Sequence, residues 1–236
     1  MKAIILNAGL GSRLHTITKE IPKCMIRING KTILEHQVDR LRENGIETII
    51  IVVGYLKEKI MELRRDNLIF VENPIYDKTN SSYSLWLARE YIRDNAFVYL
   101  NGDLLFHEGI LKRLLSANSS NAIIVQKTRN GRRDSFKAVI RGNRIINMKK
   151  KETGFKVCIE VPGPVKLSGE GSDILFKALD ANMKAGNQNE WVYTMLSQIA
   201  TDIRLEGVFV KDLPWVEIDD LEDLRHASIL FEGRPN

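Results

Sequence analysis

A glycine-rich loop follows the first apolar segment of the chain, and its residue types suit the binding of a phosphate group. The loop and the residue before it are Asn7, Ala8, Gly9, Leu10, Gly11 and Ser12. Small side chains let backbone N–H groups approach an anion closely and point at its oxygens. We therefore predict that all of these residues except Leu10 bind a substrate that carries phosphate.

Two cations, Arg13 and Lys23, follow this loop closely, and they help to indicate which kind of phosphate ligand the site binds. A P-loop would need a Gly-Lys-Ser/Thr sequence here, and the dinucleotide fingerprint would need a glycine in place of Leu14. Backbone amides with Arg and Lys beside them suit the charge density of a triphosphate. The alternative is a tight turn between a strand and a helix, with both cations facing solvent.

Carboxylates follow two later segments that have the pattern of strands. Asp103 comes after Asn101 and Gly102 at the end of an apolar run, while Glu217 and Asp219 alternate on one face of a short extended segment. Phosphoryl chemistry that depends on a metal uses such oxygens to hold Mg²⁺ against phosphates. We predict that Asp103 and Asp219 bind Mg²⁺, with Glu217 as a helper. The alternative role of each is to cap a turn or a helix.

The segments around these residues alternate between strand and helix patterns. Short apolar runs, typical of buried parallel strands, lie at residues 2–7, 48–53, 68–71 and 96–100. Thr32 and Glu35 form a capping box, which predicts a helix that ends at Gly45. We predict an α/β fold of three layers, with a doubly wound, mainly parallel sheet and the site at the carboxyl edge of its strands.

The alternation breaks in the middle of the chain. Arg141, Gly142 and Asn143 form a turn sequence, which predicts a small antiparallel subregion at residues 127–160 within one domain of residues 1–236. Residues 127–156 contain eleven basic and two acidic residues, a net charge of +9. That charge indicates an anionic substrate or a solvated hairpin face. Nucleic acid is not indicated, because aromatic residues are not interleaved with the basic ones.

Composition places the chain among ordinary globular proteins. Of 236 residues, 44% are hydrophobic and 28% are charged, and the formal net charge is +5. Disordered and collagen-like classes are therefore excluded. No apolar run approaches the roughly 20 residues of a membrane-spanning helix, and the first residues lack a signal-peptide pattern. Two cysteines and four scattered histidines give no disulfide framework or zinc spacing, so we expect a cytoplasmic protein.

Residues 6–14, together with residues 22–23, resemble the signature of the nucleotidyltransferase superfamily, which includes sugar-1-phosphate nucleotidylyltransferases and small cytidylyltransferases. The resemblance continues through residues 101–103 and 217–219, with Asn7 where the superfamily usually has Ala. It implies a GT-A or Rossmann-like fold and an enzyme that depends on Mg²⁺. It also implies catalytic roles for Arg13, Lys23, Asp103 and Asp219.

Residues 73–85 favour one branch of this superfamily. They resemble the segment of phosphocholine and aminoethylphosphonate cytidylyltransferases that typically reads Asn-Asn-x-Tyr-Ser-Leu, with Ser81 in place of the second Asn. The Pro-Gly-Leu-Ala type of stretch found in the sugar enzymes is absent. The resemblance implies that the nucleotide is CTP and that Asn80, Ser84 and Gly102 contribute to its pocket.

The acceptor region resembles the family less closely. Lys150 occupies the position where the family often has a lysine near the acceptor phosphate, although a lysine on either side leaves the register open. Glu190 and Tyr193 lie where choline-type enzymes bind an amine, so the resemblance makes them acceptor-binding residues. Core packing is the alternative for Tyr193 and for its neighbour Trp191.

Together these features predict transfer of CMP from CTP to a small phosphorylated or phosphonate acceptor, with release of pyrophosphate and formation of a CDP-linked product. The nearest alternative is a sugar-1-phosphate nucleotidylyltransferase that uses UTP, dTTP or GTP. A third is a nucleotide-sensing or RNA-binding module without catalysis, and the intact charged residues argue against it. The expected partners are CTP and the acceptor, without nucleic acid or a membrane span, and a homo-oligomer is compatible with the sequence.

Overall fold

A computed structural model gives the fold of the chain. It describes residues 1–63, 65–129, 135–150, 157–211 and 213–231. The main feature is a ten-stranded mixed sheet with helices on both faces. No helix among the described residues is long and apolar enough to cross a membrane.

The strands of the described residues are Lys2–Asn7 (β1), Arg27–Ile28 (β2), Lys31–Thr32 (β3), Ile49–Val53 (β4), Leu68–Glu72 (β5), Phe97–Asn101 (β6), Leu104–Phe106 (β7), Ala122–Arg129 (β8), Phe136–Arg141 (β9), Arg144–Lys150 (β10), Val157–Glu160 (β11), Val165–Leu167 (β12), Glu206–Phe209 (β13) and Trp215–Glu217 (β14). The helices are His15–Thr18 (α1), Ile33–Glu43 (α2), Lys57–Met61 (α3), Ser81–Leu87 (α4), Arg89–Ile92 (α5), Glu108–Leu115 (α6), Gly169–Lys184 (α7), Val192–Ile199 (α8) and Leu221–Leu230 (α9). The order of the large sheet is β11-β9-β10-β13-β8-β12-β6-β1-β4-β5.

The strands β5, β4, β1 and β6 form the parallel half of this sheet. Every residue of Ile49–Val53 is an Ile or a Val and is buried. β-Branched side chains fit a pleated surface that is covered on both faces. The register aligns Leu6 with Val52 on one side and with Asn101 on the other. The loops that follow β1 and β6 therefore meet at one edge, as the sequence predicts.

The other half of the sheet is largely antiparallel. The strands β9 and β10 form the predicted hairpin around Gly142, whose φ of 61° lies in the left-handed region. Antiparallel pairing also reaches β12, which joins β8 to β6 in the middle of the sheet. The α/β class is confirmed, but the antiparallel part extends beyond residues 127–160. The strand β12 is buried throughout, so its sequence pattern carries no sign of its direction.

Helices cover both faces of the sheet and produce three layers. Alternate residues of β1 belong to different cores, because side chains of a strand point to opposite faces in turn. Ile4 packs in the core covered by α4, α7 and α8, and Ile5 packs in the core covered by α2 and α6.

A two-stranded sheet of β7 and β14 attaches a later part of the chain to the carboxyl edge. The backbone N–H of Ile218 donates to the carbonyl oxygen of Asp103 at 2.9 Å, and Glu217 pairs with Leu104. The helix α9 then begins at a capping box formed by Asp220 and a second aspartate three residues later. Residues 103 and 219 are therefore held close together although they are far apart in sequence.

Gln37 in α2 fixes the turn between β6 and β7. Its side chain is 1% exposed, and Nε2 donates to the carbonyl oxygens of Asn101 at 2.7 Å and Leu104 at 2.8 Å. These carbonyls flank Gly102 and Asp103. Because a buried carbonyl without a donor costs about 1–3 kcal/mol, this amide stabilises the turn that carries Asp103.

Gln37→Met should lower the free energy of unfolding by about 1–3 kcal/mol, because both carbonyls lose their donor while the side-chain volume is kept. Urea unfolding followed by circular dichroism measures the change. Gln198→Met is the matched control, since Gln198 is exposed on α8, and it should change the free energy by less than about 0.5 kcal/mol. Equal stability of the two variants would contradict the role given to Gln37.

Candidate active site

Lys23 lies between two carboxylates at the carboxyl edge of the sheet. Its Nζ donates to Asp103 Oδ2 and to Asp219 Oδ1, each at 2.8 Å. A guanidinium nitrogen of Arg13 lies 2.9 Å from the same oxygen of Asp219. The structure therefore brings the four residues predicted to be catalytic into direct contact.

Burial would by itself lower the pKa of Lys23, but the carboxylates of Asp103 and Asp219 outweigh that effect and raise the pKa. The Lys23 ammonium therefore stays charged at neutral pH. Its neighbour Cys24 is a buried free thiol, and burial raises the pKa of that thiol. A buried thiol of this kind stays protonated and unreactive, so the positive charge beside Asp103 and Asp219 comes from Lys23 and Arg13.

Gly102 allows the chain to pass directly against Asn7. A Cβ atom at residue 102 would lie 1.7 Å from Asn7 Oδ1, which is far inside the contact distance of two atoms. Asn7 is 8% exposed. Its Nδ2 and the Oδ1 of Asp103 are both buried without a hydrogen-bond partner in the described part of the chain. Orphaned polar atoms on both sides of Gly102 are typical of a site that receives a ligand.

A pocket of about 240 Å³ lies between the glycine-rich loop and the amino end of α4. We call it the α4 pocket. It is lined by Leu6, Ala8, Gly9, Tyr76, Thr79, Asn80, Ser81, Ser84, Asn101, Gly102, Asp103, Trp191 and Glu217. Residues predicted to bind the nucleotide therefore occur on both of its walls, from the loop and from the start of α4.

A second pocket of about 210 Å³ adjoins the first, and we call it the cation pocket. It is lined by Gly11, Ser12, Arg13, Lys23, Asp103, Lys150, Trp191, Glu217 and Asp219. Asp103, Trp191 and Glu217 line both pockets, so the two are parts of one cleft. Three cations and three carboxylates face this part of the cleft, which suits a highly charged ligand.

Trp191 forms part of the wall that the two pockets share. Its side chain is 42% exposed, and the Nζ of Lys150 lies 4.4 Å from the centre of its ring, a cation–π contact. The sequence left Trp191 open between core packing and binding, and the structure places it in the cleft. The polar residues just before it are the sequence signal that could have indicated its exposure.

Tyr193 and Glu190 line neither pocket. The Tyr193 hydroxyl donates to the carbonyl oxygen of Gly163 at 3.4 Å, and its ring packs against Tyr99 and Phe136. Burial raises the pKa of this tyrosine well above its ordinary value. Tyr193 therefore packs in the core, and the acceptor-binding role of both residues stays a prediction.

Lys150 brings the basic segment to the cleft. Residues 130–134 and 151–156, which contain four of the eleven basic residues and both acidic ones, lie outside the described residues. Lys149 precedes Lys150 on β10, is exposed and lines neither pocket. The predicted register, with Lys150 rather than Lys149 at the site, agrees with this placement.

The carboxylates of the cleft suit a divalent cation only if water or substrate oxygens complete its coordination. Among the described residues, no group of three His, Cys, Asp or Glu side chains is placed to bind a metal. Mg²⁺ commonly takes one or two carboxylates and completes its coordination with water and substrate phosphates. The buried, unpartnered Oδ1 of Asp103 suits such a role. The donor set therefore fits Mg²⁺ that arrives with a phosphate ligand.

A family comparison agrees with this geometry. Residues 3–150 match the model of the MobA-like NTP transferase domain. The chain belongs to this family. The matched part includes the glycine-rich loop, Arg13, Lys23, Asp103 and Lys150, while Trp191, Glu217 and Asp219 of the same cleft lie beyond it.

Two curated relatives illustrate the range of similar proteins. The bifunctional protein GlmU of Methanococcus maripaludis is 38% identical over 237 residues, which cover 98% of this chain and 54% of that protein. The choline-phosphate cytidylyltransferase of Streptococcus pneumoniae is 43% identical over 107 residues, which cover 45% of this chain and 46% of that protein. The chain thus spans about half the length of these relatives.

Solved structures share the fold over the whole chain. The CTP:phosphocholine cytidylyltransferase LicC of Streptococcus pneumoniae has a TM-score of 0.83 at 23% identity and covers 98% of this chain and 99% of that one. A UDP-glucose pyrophosphorylase complexed with UDP-glucose has a TM-score of 0.80 at 18% identity and covers 98% of this chain and 97% of that one. The Rossmann-like fold of nucleotidyltransferases is therefore confirmed.

Arg13→Ala and Lys23→Ala should each weaken the binding of CTP by about tenfold or more, because each removes a charge-assisted contact with phosphate. Calorimetric titration with CTP and Mg²⁺ measures this. Lys23→Ala should also reduce stability by about 3 kcal/mol, since it removes the cation that Asp103 and Asp219 share and leaves only Arg13 beside Asp219. Lys19→Ala, which removes an exposed charge, should change neither quantity. CTP affinity that is unchanged in the first two variants would favour the alternative of a simple turn.

Proposed function

We propose that this protein transfers CMP from CTP to a small phosphorylated or phosphonate acceptor and releases pyrophosphate. The observation that carries the proposal is the shape and charge of the cleft. Its α4 pocket is lined mainly by neutral groups, and it opens into the cation pocket. A nucleoside suits the first part and its phosphates suit the second. Membership of an NTP transferase family supports a nucleoside triphosphate as the donor.

The choice of CTP is supported by residues 73–85 and by the similarity to a relative named as a cytidylyltransferase. A sugar-1-phosphate nucleotidylyltransferase that uses UTP, dTTP or GTP is the second candidate. It is supported by the fold shared with UDP-glucose pyrophosphorylase. Because one fold serves both classes of enzyme, the nucleotide that is used depends on the polar groups of the α4 pocket.

The proposed reaction needs no covalent intermediate with the protein. An oxygen of the acceptor phosphate attacks the α-phosphorus of CTP and forms the new P–O bond. The bond from the α-phosphorus to the bridging oxygen breaks, and that oxygen leaves with the electron pair as part of pyrophosphate. The acceptor is already an anion at neutral pH, so no general base has to take a proton. Catalysis then depends on positioning and on neutralising negative charge.

The residues of the cation pocket are placed for this task. The glycine-rich loop lies against Lys23, since a Cβ atom at Gly11 would be 3.1 Å from Thr18 and 3.3 Å from Lys23. Thr18 Oγ1 also donates to the carbonyl oxygen of Gly11 at 2.9 Å. In the proposed complex, the loop amides and Arg13 bind the β- and γ-phosphates, and Lys23 neutralises charge that develops during transfer.

Asp103 and Asp219, with Glu217 beside them, would hold Mg²⁺ in the proposed complex. When bound, Mg²⁺ neutralises phosphate charge and orients the triphosphate. The chain keeps these carboxylates in place through its backbone: the carbonyl of Asp103 accepts from Ile218, and the N–H of Asp219 donates to Asp223 Oδ2 at 2.9 Å. Lys23 offsets their repulsion before the nucleotide arrives.

A screen of pyrophosphate release tests the proposal, with four NTPs against phospho-alcohols, phosphonates and sugar phosphates in the presence of Mg²⁺. Turnover should depend on CTP and should fall about 100-fold or more in Asp103→Asn and in Asp219→Asn. Asp66→Asn is the matched control and should retain turnover, because Asp66 is exposed and lines neither pocket of the cleft. Turnover of sugar phosphates with UTP, dTTP or GTP instead would favour the second candidate. Near wild-type rates in either site variant would contradict the metal-binding assignment.

Lys150→Ala should lower kcat/KM for the acceptor by about 10- to 150-fold, because it removes one charge-assisted hydrogen bond to the acceptor phosphate. The affinity for CTP should change little. Lys149→Ala is the matched control, since it removes the same charge from a residue that lines neither pocket. Equal losses of kcat/KM in the two variants would indicate a diffuse attraction of anions. If neither variant lost kcat/KM, Lys150 would have no role in binding the acceptor and would only contact Trp191.

A further inference from the structure

One buried side chain, Asn73, organises the loop between β5 and α4. It is 1% exposed, and its Oδ1 accepts the backbone N–H of Ile75 at 3.1 Å. Because a backbone N–H can only donate, this contact establishes which end of the amide is the oxygen. The Nδ2 group is therefore the donor to Thr79 Oγ1 at 3.1 Å and to Ser84 Oγ at 3.0 Å.

These hydrogen bonds determine what the two hydroxyls can offer to a ligand. The Thr79 hydroxyl donates its proton to the carbonyl oxygen of Ile75 at 2.9 Å, which leaves no proton for the pocket. The Ser84 oxygen accepts from Asn73, and the described residues provide no acceptor for the Ser84 proton. Ser84 lines the α4 pocket, so its hydroxyl acts as a donor there.

Asn80 presents a second donor to the same pocket. Its Oδ1 accepts the backbone N–H of Ser81 at 2.8 Å and caps α4. The oxygen is again identified by a partner that can only donate, so Nδ2 is left to interact with a ligand. Asn80 and Ser84 are four residues apart at the start of α4 and lie on one face of it. The pocket wall therefore carries two neighbouring donors.

Two neighbouring donors distinguish cytosine from uracil. In cytosine the ring nitrogen N3 and the adjacent carbonyl oxygen O2 are both acceptors. In uracil and thymine, N3 carries a hydrogen and would face a donor of the wall. A site that hydrogen-bonds one pattern leaves its own polar groups unpaired with the other, and each such mismatch is worth about 1–3 kcal/mol.

We propose that Asn73 is a positioning residue that sets the base specificity of the α4 pocket. By donating to Ser84, it directs the Ser84 proton into the pocket, where this hydroxyl and the Asn80 amide together favour cytosine. Asn73 itself touches no substrate, since it does not line the pocket. The inference rests on the proposed use of CTP and explains how the chain would select it.

Asn73→Asp tests the inference, because it keeps the size of the side chain and the acceptor for Ile75 but replaces the donor with an acceptor. The Ser84 proton should then turn to the new carboxylate, and the oxygen lone pairs should face the pocket. Calorimetry with CTP and with UTP, each with Mg²⁺ and the full chain, gives the ratio of the two Kd values. The preference for CTP should fall by about tenfold or more.

Two further variants separate this role from a general loss of loop order. Ile75→Ala shortens a half-buried side chain of the same loop at a residue that does not line the α4 pocket, so it should weaken both nucleotides alike and leave the ratio unchanged. Ser84→Ala should reduce the ratio, and adding Asn73→Asp to it should change the ratio no further, because the two residues act as one unit. Ser84→Ala also serves if circular dichroism shows that Asn73→Asp does not fold.

The outcomes distinguish this inference from the proposed function. If the wild-type chain prefers CTP and the ratio is unchanged in folded Asn73→Asp or in Ser84→Ala, the inference is overturned and the use of CTP stands. An equal fall of the ratio in Ile75→Ala would also overturn it, since loop order would then explain the effect. If the wild-type chain binds UTP as tightly as CTP, the proposed use of CTP itself fails, and the inference fails with it.

Discussion

The cleft depends on the contact of one ammonium group with two carboxylates. The carboxylates of Asp103 and Asp219 would repel each other if the Lys23 ammonium were absent. Its Nζ lies 2.8 Å from an oxygen of each, and these two attractive contacts offset the repulsion. The same lysine supports the glycine-rich loop through Gly11. The glycine-rich loop, the two carboxylates and the cations Arg13 and Lys23 thus form one electrostatic unit. In the proposed complex, a triphosphate would exchange ionic partners within this unit.

Much of this unit could be predicted because its parts are local. A loop of small residues after a buried strand, and a Gly-Asp pair after another, are visible in short windows of sequence. Parallel strands bring such windows to one edge without any knowledge of side-chain contacts. The capping box of Thr32 and Glu35 is confirmed for the same reason, since both of its hydrogen bonds lie within four residues.

What could not be predicted depends on contacts between distant segments. Gln37 meets its carbonyl partners across 64 and 67 residues, so no short window reveals its role. Trp191 and Tyr193 are two positions apart and equally aromatic, yet one lines the cleft and the other packs in the core. Their different locations follow from the way in which the start of α8 packs on the sheet. The direction of β12 was hidden because a strand of three buried residues is too short for its sequence to indicate how it pairs.

The pairing of β7 with β14 determines when the cluster of Lys23, Asp103 and Asp219 can be completed during synthesis of the chain. The hydrogen bond from Lys23 to Asp219 spans 196 residues, so the second carboxylate joins the first only when almost the whole described chain has left the ribosome. The parallel strands β1, β4, β5 and β6 precede that moment and can pair earlier. A chain that terminates before residue 219 would therefore lack a complete charge cluster, which makes the cluster a late product of translation.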